Sequence, residues 1–150
     1  MGSRSSNRKC YKMTIVVVDA WKHCEQEDVD RFSFLEQETK AFGSYIDSCL
    51  TQLRKKHDIV HCADGRPIMD EIDTSQDTVI RMISDIKHPG PYFFCGFHLG
   101  RCIDRKIKEL DKECYVIKNM CLLFPADGYE KVDKNLNYCY YTHSKGFQKL

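Results

Sequence analysis

The sequence lacks any apolar run of the roughly 18 residues that a transmembrane helix needs. Residues 1–12 are polar and basic and contain no apolar core of the kind found in a signal peptide. An excess of either charge is also missing, since 23 Lys and Arg oppose 22 Asp and Glu, giving a formal net charge of +1. These absences predict a cytoplasmic protein that neither crosses a membrane nor exists mainly to neutralise phosphates.

No two cysteines have the Cys-x-x-Cys spacing of zinc ribbons and thioredoxin-like redox sites, although the chain has nine cysteines. A disulfide framework would require secretion, for which the N-terminus gives no signal. The pairs His23-Cys24 and His61-Cys62 are adjacent and lack the usual spacing of metal ligands. We therefore expect no metal and no cofactor, and we expect most of the thiols to be small buried hydrophobic groups.

The pattern of the chain predicts a flexible basic arm at residues 1–11 and a single domain at 12–150, without internal repeats. A hydrophobic fraction of 42% and a charged fraction of 30% are typical of a globular domain. Residues 22–37, which are acidic and irregular, predict a loop over a site, and residues 64–67 predict a turn.

Strands and helices alternate in the hydrophobic pattern. The predicted strands are 13–18, 58–63, 92–97, 115–117, 120–124 and 138–141, and the predicted helices are 38–56, 76–87 and 100–112. This order predicts an α/β, Rossmann-like three-layer fold in which helices flank a mainly parallel sheet. Ligands of such sheets bind at the carboxyl ends of the strands.

Two reactive side chains follow predicted strands. Asp19 ends the first strand, and Cys102 opens a helix after the strand 92–97. The helix dipole and the neighbouring Arg101 predict a lowered thiol pKa, and backbone amides there can hold an oxyanion. Asp19 could take the thiol proton. The alternatives are that Cys102 only packs in the core and that Asp19 is a cap or turn residue.

The stretch from Tyr92 to Ile103 resembles the nucleophile segment of the isochorismatase-like cysteine hydrolases, in which an apolar strand and a glycine lead to a cysteine at the start of a helix. Ile15 to Asp19 resembles the first strand of that family with its catalytic aspartate. Lys112 to Phe124 fits the strand after the nucleophile helix, so the resemblance covers about residues 13–124 by the order of elements. It implies a three-layer α/β fold and, in amidase members, an Asp-Lys-Cys triad.

The resemblance implies Asp19 as general base and Cys102 as nucleophile. The amides of Arg101 and Cys102 would form the oxyanion hole after a cis peptide in that turn. The substrate would be an amide, carbamoyl or related small metabolite that passes through a thioester. His98 and Trp21 are expected to contact that substrate, and a homo-oligomer is expected.

This compact chain departs from the family pattern in two places. The interval 66–80, where the family lysine belongs, contains no lysine, so we expect Arg66 to supply the cation. Arginine stabilises a thiolate but does not readily share a proton. Asp64 matches a metal-binding aspartate of nicotinamidase-type members, but Gly65-Arg66-Pro67 replaces the segment that carries the histidines, so no catalytic metal is expected.

Three functional classes follow from these residues. The leading hypothesis is a small cysteine hydrolase, and the runner-up is a catalytically silent module that binds a ligand or a protein. Nucleic-acid binding would rest on the arm and on one basic helix, but acidic residues on the same helix favour a solvated face and no nucleic-acid partner. The basic residues of that helix are Arg101, Arg105, Lys106 and Lys108, and the acidic ones are Asp104, Glu109 and Asp111.

Overall fold

The computed structural model describes residues 12–22, 26–123 and 132–149, with residues 26–35 described only by their backbone. The predicted flexible arm, residues 1–11, lies outside this range. The strands are β1 (Thr14–Val18), β2 (Asp58–Cys62), β3 (Thr78–Ile80), β4 (Tyr92–Leu99), β5 (Cys114–Leu123), β6 (Tyr138–Thr142) and β7 (Gly146–Lys149). The helices are α1 (Gln26–Leu53), α2 (Cys102–Leu110) and a short 3-10 helix (Ile83–Asp85).

All of these strands form one sheet in the order β3-β2-β1-β4-β5-β6-β7, parallel except for the β6–β7 pair. The chain leaves β1 through α1 toward β2, whereas it leaves β4 through α2 toward β5 in the opposite direction along the sheet. Because such crossovers are right-handed, the two helices lie on opposite faces. The structure therefore confirms the predicted α/β class with a mainly parallel sheet between helices.

The two central strands form the core because both of their faces are covered. Every residue of β1 is buried, as its continuous β-branched sequence predicts for a strand inside a parallel sheet. In β4, Phe94 is fully buried, and Phe97 packs edge-on against Phe42 of α1 with ring centroids 5.8 Å apart.

Gly96 lets β4 approach β1 closely. It pairs with Val18 in register and has a φ of +111°. A Cβ atom at this position would lie 2.4 Å from the backbone oxygen of Val18, which real Cβ atoms do not tolerate. Only glycine fits here, opposite Val18, which is the residue before Asp19.

The predicted loop at 22–37 is wrong from residue 26 onward, because α1 begins at Gln26 and has 28 residues. The segment 26–42 contains no glycine or proline to stop a helix. Its acidic residues suit the positive end of the helix dipole. Despite the length of α1, no described helix is both long and apolar enough to cross a membrane.

The predicted helix at 76–87 is also wrong. This segment contains the short edge strand β3 and the 3-10 helix. Thr78, Val79 and Ile80 form a β-branched run, and the carboxylate of Asp77 is held by Arg54 at the end of α1. That tertiary contact anchors the chain beside β2 in an extended conformation.

The carboxyl-terminal part of the sheet differs from expectation in two ways. The predicted strands 115–117 and 120–123 belong to one strand, β5, whose pairing with β4 shifts register after Phe94 and again after Phe97. The last residue of the second predicted strand, Phe124, lies outside the described residues. The sequence pattern does not predict β7, which returns antiparallel to β6 through a tight turn before Gly146, whose φ is +68°.

Candidate active site

Asp19 and Cys102 meet at the carboxyl edge of the sheet, as their positions after apolar strands predict. Asp19 directly follows β1, and Cys102 opens α2 three residues after the end of β4, the neighbouring strand. The side chains are close enough for the thiol to donate toward the carboxylate. From β1 and β4 the chain winds outward in opposite directions, so this edge is the switch point where open α/β sheets bind ligands.

Asp19 is a buried carboxylate that lacks a complete set of partners. The residue is 5% exposed, and neither carboxyl oxygen receives a well-formed hydrogen bond from the described residues, so the contact with Cys102 is a loose one. Burial raises the pKa of Asp19, and the Cys102 thiol and the Lys106 ammonium oppose this only in part. Such a carboxylate is a stronger base than a solvated one and is available to a ligand.

The thiol of Cys102 is protonated in the resting site. Burial, followed by the hydrogen bond and negative charge of Asp19, raises the pKa of Cys102 to about 11, although Arg105 and Lys106 oppose the rise. The lowered pKa predicted from the helix terminus is therefore wrong, because desolvation and the neighbouring carboxylate outweigh the dipole. A thiolate forms here when Asp19 accepts the proton.

Lys106 is the cation of the site. It is only 7% exposed, and its Nζ lies 4.0 Å from Oδ1 of Asp19 and 3.1 Å from Oδ1 of Asp64. Burial lowers the pKa of Lys106, but Asp19 and Asp64 more than compensate and raise it above its ordinary value, so the ammonium stays charged. The predicted solvated face is thus wrong at Lys106. Its spacing of four residues from Cys102 is the signal that could have found it, since positions i and i+4 share a helix face.

Arg66, the cation expected from the sequence, stacks on Trp21 and forms no ion pair with Asp19. Its side chain is exposed, and its guanidinium carbon is 4.2 Å from the centre of the Trp21 ring. The half-buried Trp21 donates from its indole Nε1 to the carbonyl of Ala63 at 2.8 Å. Trp21 also lines a cavity of about 80 Å³ together with Met69. Lys106, rather than Arg66, is the cation beside Asp19.

The predicted oxyanion hole is only partly available. The amide of Arg101 donates to the carbonyl of His98 at 3.1 Å, so this amide is already engaged. Cys102 is the first residue of α2, which leaves its amide as the candidate donor. The peptide between Phe97 and His98 is cis. His98 is half-buried near the end of β4, and its contact with a substrate stays a prediction.

Asp64, the residue that matches a metal-binding aspartate, pairs with Lys106 instead. In the part of the chain that the structure describes, no three His, Cys, Asp or Glu side chains are grouped to hold a metal ion.

Comparison of the chain with protein-family models, with curated proteins and with solved structures finds no significant match. The geometry of the site at the end of β1 and β4 is therefore the basis for assigning a function.

Proposed function

We propose that this protein is a small cysteine hydrolase that cleaves an amide, carbamoyl or related bond in a small metabolite. The observation that carries the proposal is a buried carboxylate without a full hydrogen bond, Asp19, which lies beside a thiol and an ammonium at the switch point of the sheet. Cys102 acts as nucleophile, Asp19 as general base and Lys106 as the fixed cation. The resemblance to isochorismatase-like hydrolases supports this proposal. Lys106 would take the role of the family lysine, although it lies on the helix that begins with Cys102 and not in the interval 66–80.

The first half of the reaction forms a thioester. The thiol proton of Cys102 moves to Asp19 while Sγ attacks the carbonyl carbon, and the carbonyl electron pair moves onto the oxygen. Collapse of this intermediate breaks the C–N bond, and the leaving nitrogen takes the proton from Asp19. The products are ammonia or an amine and an acyl group on Sγ.

The second half regenerates the thiol. A water gives a proton to Asp19 and attacks the thioester carbon, after which the C–S bond breaks. Sγ then recovers the proton from Asp19, and the acid leaves. Lys106 stabilises the negative charge that passes between Asp19, Sγ and the oxyanion, while the amide of Cys102 is the candidate backbone donor for that oxyanion.

A catalytically silent ligand-binding module is the second candidate. Two observations favour it, namely the raised pKa of about 11 for Cys102 and the engagement of the Arg101 amide in a turn. Both features lower the reactivity of the resting site. The cytoplasmic location and the homo-oligomeric state expected from the sequence stay predictions.

A panel of amides and carbamoyl compounds, scored by ammonia release, tests the proposal. We expect turnover of at least one compound by the wild-type protein and none by Cys102→Ala, because only the thiol forms the acyl intermediate. Mass spectrometry of quenched reactions should show the acyl adduct on Cys102. Turnover that persists in Cys102→Ala would refute the nucleophile, and compounds that raise the melting temperature without turnover would favour the silent module.

Replacing Lys106 by methionine should reduce turnover by about 100-fold, because the site loses its fixed cation. Lys106 lowers the pKa of both Asp19 and Cys102, so both values should rise in the variant. Iodoacetamide labelling of Cys102 should then require a higher pH than in the wild-type protein. Lys106→Arg should restore part of the activity.

Lys108→Met is the matched control, since it removes an exposed lysine from the same helix. Equal losses in Lys106→Met and Lys108→Met would show that overall charge, rather than the buried ammonium, supports the reaction.

A further inference from the structure

Three arginines lie exposed near the carboxyl edge of the sheet, each after a different strand. Arg66 follows β2, Arg81 follows β3, and Arg105 lies in α2 after β4. None of them forms an ion pair with a carboxylate of the described residues. We call these residues the arginine rim.

Arg105 reaches the nucleophile itself. Its Nη2 lies 3.6 Å from Sγ of Cys102, and its charge acts on Asp19 as well. A guanidinium has five N–H donors in a planar fork that fits carboxylate and phosphate oxygens. This fork is exposed, so most of its donors face solvent next to the atom that would carry the acyl group.

The other two arginines are connected to the same site by the loop 64–66, which follows β2. Arg81 packs over Gly65, where its Nε would lie 3.5 Å from an added Cβ. The preceding residue, Asp64, binds Lys106, and the following residue is Arg66. The rim therefore borders the loop that holds the catalytic ammonium.

The charges around the site favour an anionic ligand. The buried carboxylate of Asp19 and the exposed carboxylate of Asp64 both lie near the ammonium of Lys106. Around them, the rim offers three exposed cations that have no carboxylate partner among the described residues. An oxyanion group on the ligand would complete the arrangement through charge-assisted hydrogen bonds.

We propose that the ligand of this site is an amide that carries an oxyanion group, a carboxylate or a phosphate, and that Arg105 binds this group beside Cys102 while Arg66 and Arg81 add to the attraction. That the ligand is an amide rests on the proposed function. That the ligand carries an oxyanion group rests on the arginine rim alone. Arg105 is then a specificity-determining residue.

Calorimetric titration of the Cys102→Ala protein measures this recognition without turnover. The probes are succinamate, its neutral counterpart butanamide, and inorganic phosphate. We expect succinamate or phosphate, but not butanamide, to bind, and Arg105→Gln to weaken that binding at least tenfold. Comparing the succinamate and phosphate arms decides whether the rim prefers a carboxylate or a phosphate.

Lys108→Gln is the matched control because it removes one exposed positive charge from the same helix. The proposal is overturned if butanamide binds as well as the anions, if none of the probes binds, or if Lys108→Gln weakens binding as much as Arg105→Gln. Selective anion binding without any turnover in the wild-type protein would sustain this proposal while refuting the hydrolase. Turnover of neutral amides without anion binding would do the reverse.

Discussion

Replacing Asp19 by asparagine is expected to reduce turnover by about 100-fold to 10,000-fold, the range that general-base catalysis contributes. Asparagine has nearly the same shape but cannot accept the thiol proton. With the pKa of Cys102 raised to about 11, few sites hold a thiolate at neutral pH unless a base removes the proton during attack. The initial rate of ammonia release on the best compound of the amide panel measures the loss.

The same substitution should make the resting thiol more acidic. The hydrogen bond and negative charge of Asp19 both raise the pKa of Cys102, although burial is the larger cause and remains in the variant. The pKa of Cys102 in Asp19→Asn should therefore fall below about 11. Thiolate absorbance against pH, with Cys102→Ala subtracted, would measure the change.

A lower activity together with a more acidic thiol separates a catalytic base from a residue that only supports the fold. Asp70→Asn is the matched control, because Asp70 is an exposed carboxylate paired with Lys22. Asp19→Asn with undiminished turnover would remove Asp19 from the mechanism, and a more basic thiol in this variant would contradict the electrostatics described for the site.

The sequence predicts that Asp19 and Cys102 form a pair, because the residues next to each of them are enough to place it at the end of a strand. Each follows an apolar run that reads as a buried strand, and the carboxyl ends of parallel strands share one edge of the sheet. The pattern does not give the order of the strands. That β1 and β4 are neighbours at the switch point emerges only from the folded sheet.

Lys106 was missed for a non-local reason. It sits among charged neighbours of both signs, a pattern typical of a solvated helix face. Its ammonium binds Asp64, which comes from the turn after β2, 42 positions away in the chain. The direction of the pKa shift of Cys102 is also non-local. The sequence shows that this thiol lies at a helix terminus, but it does not show how far the fold removes the thiol from water.

The same limit explains the segment 76–87. Its apolar residues are compatible with a helix face, yet its first carboxylate, Asp77, is fixed by residues from two other elements. Asp77 accepts hydrogen bonds from Nε of Arg54 at 2.7 Å and from its Nη2 at 2.8 Å, and Nε2 of His61 lies 2.8 Å from Oδ2. Tertiary contacts overrode the local pattern.

This Arg54–Asp77–His61 network predicts a large contribution of Asp77 to stability. The side chains of Asp77 and His61 are each only 1% exposed. Asp77→Ala should lower the free energy of unfolding by about 3–5 kcal/mol, because it leaves a partly buried guanidinium and a buried imidazole without their shared acceptor. Urea unfolding with an unchanged m-value measures the loss. Asp70→Ala, which breaks an exposed pair, should change stability little.

The contribution of Asp77 to the free energy of unfolding should decrease at acidic pH, because the pKa of Asp77 is lowered in the folded protein. Burial raises the pKa of Asp77, but the hydrogen bonds and charges of Arg54 and His61 more than compensate and hold it below its ordinary value of 3.8. A carboxyl group with a lower pKa in the folded state stabilises the fold above the unfolded pKa, near pH 4, and loses this contribution as the pH falls through the folded value. The difference in unfolding free energy between the wild-type protein and Asp77→Asn should therefore be larger at pH 7 than at pH 3. An equal difference at both pH values would mean that packing, and not the charge of Asp77, holds β3 against β2.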